Sequence, residues 1–317
     1  MIEIGKFDPP GPLNTAVLFL VFNRLDQTKQ VFEAIRQAKP PRLYIAADGA
    51  RANKQDEVEQ VRDIRNFVLQ NIDWDCEVKT LFREKNLGCK YAVSSAITWF
   101  FDSEEQGIIL EDDCLPSQSF FWFCEELLER YKEDLRVWLI SGDNFQNGLK
   151  RGDDSYYFSQ FTHIWGWASW ASRWAEYDVE MESFESFSKQ NRISSVYSEI
   201  NEQKYWLSTF DRVYHKKIDT WDYQWMYTVL SNNGLCVLPN INLISNIGFG
   251  DDATHTKSLE SIDSNIPMFE LSVPLKHPYF IVQDVDADAF TFARFFKKDN
   301  LAFRLARKFK SLVLGIH

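Results

Sequence analysis

No glycine-rich phosphate loop is present in this 317-residue chain: neither G-x-G-x-x-G nor a Walker-type sequence follows the first apolar run, residues 16–22 (AVLFLVF). Such loops bring backbone N–H groups to a pyrophosphate at a helix N-terminus, so ordinary dinucleotide and P-loop chemistries lose their main support. Cysteine is sparse and unpaired. The five residues (Cys76, Cys89, Cys114, Cys124, Cys236) are odd in number and none has C-x-x-C spacing, which argues against a disulfide framework and for reduced thiols in a cytosolic protein. Positive charge is short as well: 35 Lys and Arg against 46 Asp and Glu leave a net −11, the opposite of a nucleic-acid binder's footprint. Long apolar runs are also missing. Residues 13–22 are about half the length a membrane helix needs, and the charged, proline-bearing residues 1–12 do not read as a signal peptide. The expected localisation is cytoplasmic.

Hydrophobic residues make up 45% of the chain, enough for one large core. Aromatics are abundant, with 26 Phe, 12 Tyr and 11 Trp, and tryptophan beyond the needs of a core often lines a ligand site. The first half alternates strand and helix. Residues 16–22 form a continuous apolar run, the pattern of a parallel strand buried on both faces. A helix follows, with Asp26 as N-cap and Val31, Ile35 and Ala38 on one face, ended by Pro40-Pro41. Strands are expected at 42–47, 77–82 and up to Leu110. Helices are expected at 55–70, with Val58, Val61, Ile64 and Val68 inward, and at 90–101. Repeats of this length imply right-handed crossovers and a mostly parallel α/β sheet flanked by helices, with ligands beyond the C-terminal strand ends. Asn23-Arg24, Asp48 and Glu111-Asp112-Asp113 should therefore converge. Farther on, a helix at 120–131, a strand at 137–141 and a helix opened by Trp221-Asp222 are expected.

Glu111-Asp112-Asp113 carries the most chemistry. Three adjacent carboxylates repel one another, and a strand terminus has no helix dipole to relieve them. A hard divalent cation does, and Mg²⁺ or Mn²⁺ characteristically takes one or two carboxylates plus substrate phosphates. A solvated acidic turn is the alternative, but the apolar strand before the triplet and Cys114-Leu115-Pro116 after it favour the cation.

The string IILEDDCLPSQSFFWF resembles the metal-binding segment of the GT-A glycosyltransferases, particularly the N-acetylglucosaminyltransferase I family, and the resemblance runs in order across roughly residues 15 to 256. It implies a GT-A (Rossmann-like) sheet with an elaborated C-terminal acceptor half: residues 1–145 for the nucleotide sugar, 146–290 for acceptor and catalysis. By the same resemblance Asn23-Arg24 matches a pair whose arginine contacts the nucleotide, with Asn23 replacing an acidic residue. Asp48 matches a uracil-binding aspartate. Asp113 would ligate Mn²⁺ or Mg²⁺, while Glu111 and Asp112 hold ribose or donor-sugar hydroxyls. Trp221-Asp222 matches a pair whose aspartate is the catalytic base, and the Gly248 region matches loosely a domain-closing loop. The implied activity is inverting transfer from a nucleoside-diphosphate sugar, expected to be UDP-linked, to a hydroxyl of a glycan or glycolipid in surface polysaccharide synthesis.

Other residues remain open between site and scaffold. The Trp-dense stretch 163–174 reads as core or as a sugar platform; the resemblance raises Trp167, and Trp221 is placed beside it. Asp222 reads as base, as helix N-cap, or as both, with Asp219 its nearest competitor. His255 could complete the metal shell, and Lys90 could reach a phosphate. Residues 291–317 carry seven basic residues against the single acid Asp299 and project as a basic amphipathic helix from Leu301. That pattern suits peripheral contact with an anionic membrane, or docking on the domain itself. Two rival functions stand beside the transferase. A sugar-phosphate nucleotidylyltransferase would carry a Gly-rich loop with a basic residue after strand one, which Phe22-Asn23-Arg24-Leu25 lacks. A non-catalytic carbohydrate-binding module would use the tryptophans without the acidic triplet.

Overall fold

The computed structural model describes residues 7–248 and 266–296. The elements in chain order are β1 (Val17–Val21), α1 (Leu25–Ala38), β2 (Arg42–Ala47), α2 (Glu57–Gln70), β3 (Glu77–Phe82), α3 (Gly88–Phe101), β4 (Gln106–Glu111), β5 (Cys114–Pro116), α4 (Gln118–Arg130), β6 (Val137–Ser141), β7 (Tyr156–Ser159), β8 (Trp167–Trp170), α5 (Ala171–Trp174), α6 (Phe184–Lys189), α7 (Ile200–Tyr214), α8 (Asp222–Ser231), β9 (Leu235–Pro239), β10 (Ile244–Asn246) and α9 (Val285–Thr291). Eight strands form one sheet in the order β3-β2-β1-β4-β8-β6-β9-β7, and β5 pairs with β10 in a small second sheet. The β3-β2-β1-β4 block and the β6-β9 pair are parallel; β8 runs antiparallel between β4 and β6, and β7 runs antiparallel along the edge. Both halves of the chain thus contribute to the same sheet. Because β8 reverses once on each side, β6 points the same way as β1 and β4, and their C-terminal ends share one edge.

Alternation along the central strands divides the core between the two sheet faces. Val17, Phe19, Ile108 and Leu110 face α1 and α4, whereas Leu18, Leu20 and Ile109 face α3 and α8. The region between α6 and α8 builds its own aromatic cluster from Phe184, Trp206, Phe210 and Tyr227, closed by Phe292 after α9. The largely polar composition of residues 182–217 thus conceals an apolar seam.

Two local expectations are also corrected. Asp26 lies in the first turn of α1 while Arg24 takes the N-cap position, so Asp26 is not the cap. Val58 is 59% exposed, and the inward residue of that turn is Glu57, because its carboxylate receives Arg51 and Asn23. All five cysteines are free thiols. Among the described residues no helix is long and apolar enough to cross a membrane.

Candidate functional site

The residues at the ends of β1, β2 and β4 do converge. Asp112 accepts the Phe22 backbone N–H at 3.0 Å, which ties the end of β4 to the end of β1. The Arg24 guanidinium donates to Asp113 and lies 3.9 Å from Asp112. Burial opposes the Arg24 charge, but Asp113, Asp112 and Glu111 outweigh it and raise the pKa. At the end of β2, Asp48 accepts backbone N–H groups from Leu87 and Gly88 at 3.0–3.1 Å, so its carboxylate sits at the N-terminus of α3. A carboxylate is favoured there because the first amides of a helix lack intrahelical partners. Gly88 enters that turn at φ +77°, a conformation that favours glycine.

Glu111 follows Ile109 by two residues and so points to the α3–α8 face, where Asp222 opens α8. Burial raises the Glu111 pKa above the ordinary carboxylate range; Asp113, Asp112 and Asp222 add to the rise and Arg24 opposes it. Asp112 is raised by burial and by Asp113, against Arg24 and the Phe22 N–H. The triplet therefore holds more negative charge than Arg24 neutralises. Asp222 is the first helical residue of α8, with Trp221 in the cap position; its Oδ1 accepts from the Tyr223 N–H at 2.9 Å and from the Thr220 hydroxyl. Its other oxygen has no hydrogen bond to those groups. Asp219 lies close by, its Oδ2 facing Gly88.

Among the described residues no three His, Cys, Asp or Glu groups are arranged to enclose a metal ion. The donor set still fits Mg²⁺ or Mn²⁺, which bind through one or two carboxylates and complete their shell with water and substrate phosphate oxygens. Asp113 is the triplet residue with its backbone fixed from the other side: its carbonyl accepts from Ile247 at 2.8 Å, and a Cβ on Gly248 would overlap its carboxylate. His255 lies outside the described residues.

Trp167 and Trp221, open in the sequence between core and sugar platform, lie in the core. Both are buried, at 1% and 2% exposure, and they stack on each other at 5.8 Å inside a cluster with Trp174 and Trp225. Their spacing favours core packing over sugar stacking, and β8, in the middle of the sheet, packs Trp167 as core. Lys90 is also buried, its ammonium 3.1 Å from Glu180 and over the Tyr91 ring, so its charge is held by protein. Two features escaped the sequence reading. Arg51 is clamped by the buried Glu57 next to Asn23, its guanidinium 5.5 Å from the Phe22 ring centroid, which places a fixed cation beside the end of β1. Cys89 lies among carboxylates from three segments: burial pushes its thiol up first, followed by Glu111, Asp222, Asp219 and Asp48. A lone Cys or Glu in a helical pattern gives no sign of either role.

One more acid lies on this sheet edge. Asp143, just beyond β6, is fully buried; its Oδ2 accepts from the Trp165 N–H at 3.0 Å and the Ser141 hydroxyl at 3.3 Å, while Oδ1 meets no donor. Burial pushes its pKa up to about 7, against those two hydrogen bonds. A raised pKa means the folded state retains a proton that the unfolded chain releases. The resulting stability is complete below the unfolded carboxylate value and is lost as pH rises through about 7. Between about pH 5 and pH 8 the wild type should lose roughly 2–3 kcal/mol that Asp143→Asn does not lose, measured by urea unfolding at each pH. Parallel curves for the two proteins would show that Asp143 is ionised throughout.

No family model and no curated protein matches the chain. Solved structures do. The mannosyltransferase PcManGT from Pyrobaculum calidifontis, in complex with GDP-Man and Mn²⁺, is similar at 15% identity over 53% of this chain and 47% of its own, with a TM-score of 0.34. GalNAc-T7 with UDP, GalNAc and Mn²⁺ is similar at 12% identity over 72% of this chain and 43% of its own, TM-score 0.44. A UDP-glucose pyrophosphorylase complexed with UDP-glucose is similar at 9% identity over 74% and 93%, TM-score 0.37. The chain thus spans about half or less of the two transferases.

Proposed function

We propose that the chain is a metal-dependent, inverting glycosyltransferase of the GT-A type, using a nucleoside-diphosphate sugar, expected to be UDP-linked, and a hydroxyl acceptor on a glycan or glycolipid. The observation that carries the reading is the convergence of Arg24, Asp48, Glu111-Asp112-Asp113 and Asp222 from four separate segments at the C-terminal edge of one sheet. On this reading residues 1–145 bind the donor and 146–290 complete the acceptor side.

Asp222 takes the proton from the acceptor hydroxyl as its oxygen bonds to the anomeric carbon, and the bond to the diphosphate oxygen breaks on the opposite face. Thr220 and the Tyr223 N–H hold one oxygen of Asp222, which orients the other for that proton. Glu111 and Asp112 accept hydrogen bonds from ribose or donor-sugar hydroxyls. Arg24 offers a fixed cation to the phosphates, and Asp48 stands at the nucleobase end. A divalent ion held at Asp113 would supply Lewis-acid neutralisation of the departing diphosphate.

Titration calorimetry tests the reading: UDP should bind in Mn²⁺ and lose at least about tenfold in affinity when EDTA replaces the metal, because the carboxylates then face the phosphates unscreened. Equal affinity in both conditions would overturn it. A carbohydrate-binding module is disfavoured because Trp167, Trp170, Trp174, Trp221 and Trp225 lie in the core. A nucleotidylyltransferase would release pyrophosphate from a nucleoside triphosphate, and that assay separates the two enzymes.

A further inference from the structure

The carboxylate of Asp48 is taken up by backbone donors. Its Oδ1 accepts the Gly49 N–H at 2.9 Å and the Leu87 N–H at 3.0 Å, and its Oδ2 accepts the Leu87 and Gly88 N–H groups at 3.0 and 3.1 Å. Each carboxylate oxygen accepts about two hydrogen bonds, so Asp48 has little left to offer a ligand. The groups still open at that end of the sheet belong to its neighbours. Glu57, the first residue of α2, is 2% exposed. Its carboxylate collects the Arg51 backbone N–H at 2.7 Å, Arg51 Nε at 3.0 Å and the Asn23 amide at 2.9 Å. Burial opposes the Glu57 charge, but the hydrogen bonds from Arg51 and Asn23 outweigh it and hold the pKa below its ordinary value. Asn23 Nδ2 and Arg51 Nε meet the same oxygen, Oε1, so the two head groups lie side by side. An ionised carboxylate only accepts, which fixes the Asn23 amide with Nδ2 toward Glu57 and Oδ1 away from it. Arg51 gives Nε and Nη2 to Glu57, and its Nη1 has no hydrogen-bond partner among the described residues. Gly49, packed on the backbone of Lys85 and Asn86 with no room for a Cβ, pins the loop that carries Arg51.

We propose that Arg51 and Asn23, braced side by side by the buried Glu57, read the base of the donor nucleotide in place of Asp48. They select a base that sets a carbonyl oxygen beside a ring N–H, as uracil and guanine do, over cytosine and adenine. This selection rests on the nucleotide-sugar reading of the site. Position supports it: in the strand order β3-β2-β1-β4 the pair lies on the β2 side of β1, whereas the triplet ends β4 with Asp222 near Glu111. Phosphates held at Arg24 and the triplet, with the sugar toward Asp222, leave the nucleoside to run toward Arg51. Charge supports it too. Glu57 cancels the Arg51 cation, so that guanidinium suits a neutral carbonyl oxygen, while Arg24 faces an excess of carboxylates that a metal would share. An N–H donor fixed beside an amide oxygen is complementary to an edge that pairs carbonyl with N–H. In the same pose cytosine or adenine would turn an amino group to Arg51 and a ring-nitrogen lone pair to Asn23. Both meetings leave desolvated polar groups unpaired, which is how a site rejects a near-isostere.

The test is titration calorimetry of the full chain in Mn²⁺ with UDP, CDP, GDP and ADP. UDP should bind at least about tenfold more tightly than CDP, and GDP more tightly than ADP by a similar factor. Arg51→Met and Asn23→Ala should each weaken UDP binding by about tenfold and bring UDP and CDP to within about threefold of each other. Mn²⁺ should still raise the affinity of both variants, because the phosphate end is untouched. Circular dichroism checks each fold, and Asn23→Ala, which keeps the Arg51–Glu57 pair, decides the matter if Arg51→Met unfolds. Equal binding of UDP and CDP by the wild type would overturn the proposal, as would a preference that survives Asn23→Ala. A preference lost in Asp48→Asn instead would return the base to Asp48. Binding of none of the four nucleotides would remove the transferase reading itself, and base selection with it.

Discussion

Asp222→Asn is expected to bind UDP and Mn²⁺ as the wild type does and to transfer sugar about 10³-fold more slowly, in the range that loss of a general base produces. Such a loss corresponds to about 4 kcal/mol of transition-state stabilisation. The separation of binding from rate follows from where Asp222 stands. It opens α8 on the α3–α8 face, near Glu111, and its Oδ1 is held by the Tyr223 N–H and the Thr220 hydroxyl. Asparagine preserves the shape and keeps an oxygen for the Tyr223 N–H, so the start of α8 should persist. What disappears is the ability to hold the acceptor proton as the new bond forms. A kcat that falls while the nucleotide Kd stays fixed identifies the base. If the rate were unchanged and Asp219→Asn lost it, the role would pass to Asp219, whose carboxylate faces Gly88.

The strand-and-helix frame was legible because it rests on local periodicity. Residues 42–47 and 77–82 become β2 and β3 at the expected bounds, and 137–141 becomes β6. The convergence of Asn23-Arg24, Asp48 and the triplet was legible too, since parallel crossovers put those strand ends on one edge whatever the details. The parts that resisted depend on partners distant in sequence. Glu57 faces inward only because Arg51 and Asn23 come to meet it. Lys90 is buried only because Glu180 arrives from ninety residues on. Trp167 is core because β8, open in sequence between core element and sugar platform, inserts out of order between β4 and β6. No short window of sequence holds that insertion.

Replacing Asp113 by Ala should remove the dependence on metal altogether: transfer falls by about 10³-fold and adding Mn²⁺ no longer raises it, while the wild type in EDTA drops to a similar floor. The stability of the variant is expected to stay close to that of the wild type, through two opposed changes. Arg24 loses its closest carboxylate, which is unfavourable for a half-buried guanidinium. Glu111 and Asp112 lose a repelling neighbour that raises both their pKa values, which is favourable. Arg24→Ala makes the contrasting case. It leaves the acidic triplet without its internal cation, so it should destabilise the fold near neutral pH and weaken nucleotide binding, yet keep whatever stimulation Mn²⁺ gives. Rates measured across a Mn²⁺ titration for the three proteins distinguish a metal ligand from a mere ion-pair partner. Metal stimulation that persists in Asp113→Ala would move the ligand elsewhere, and full wild-type activity in EDTA would leave Arg24 as the cation that meets the diphosphate.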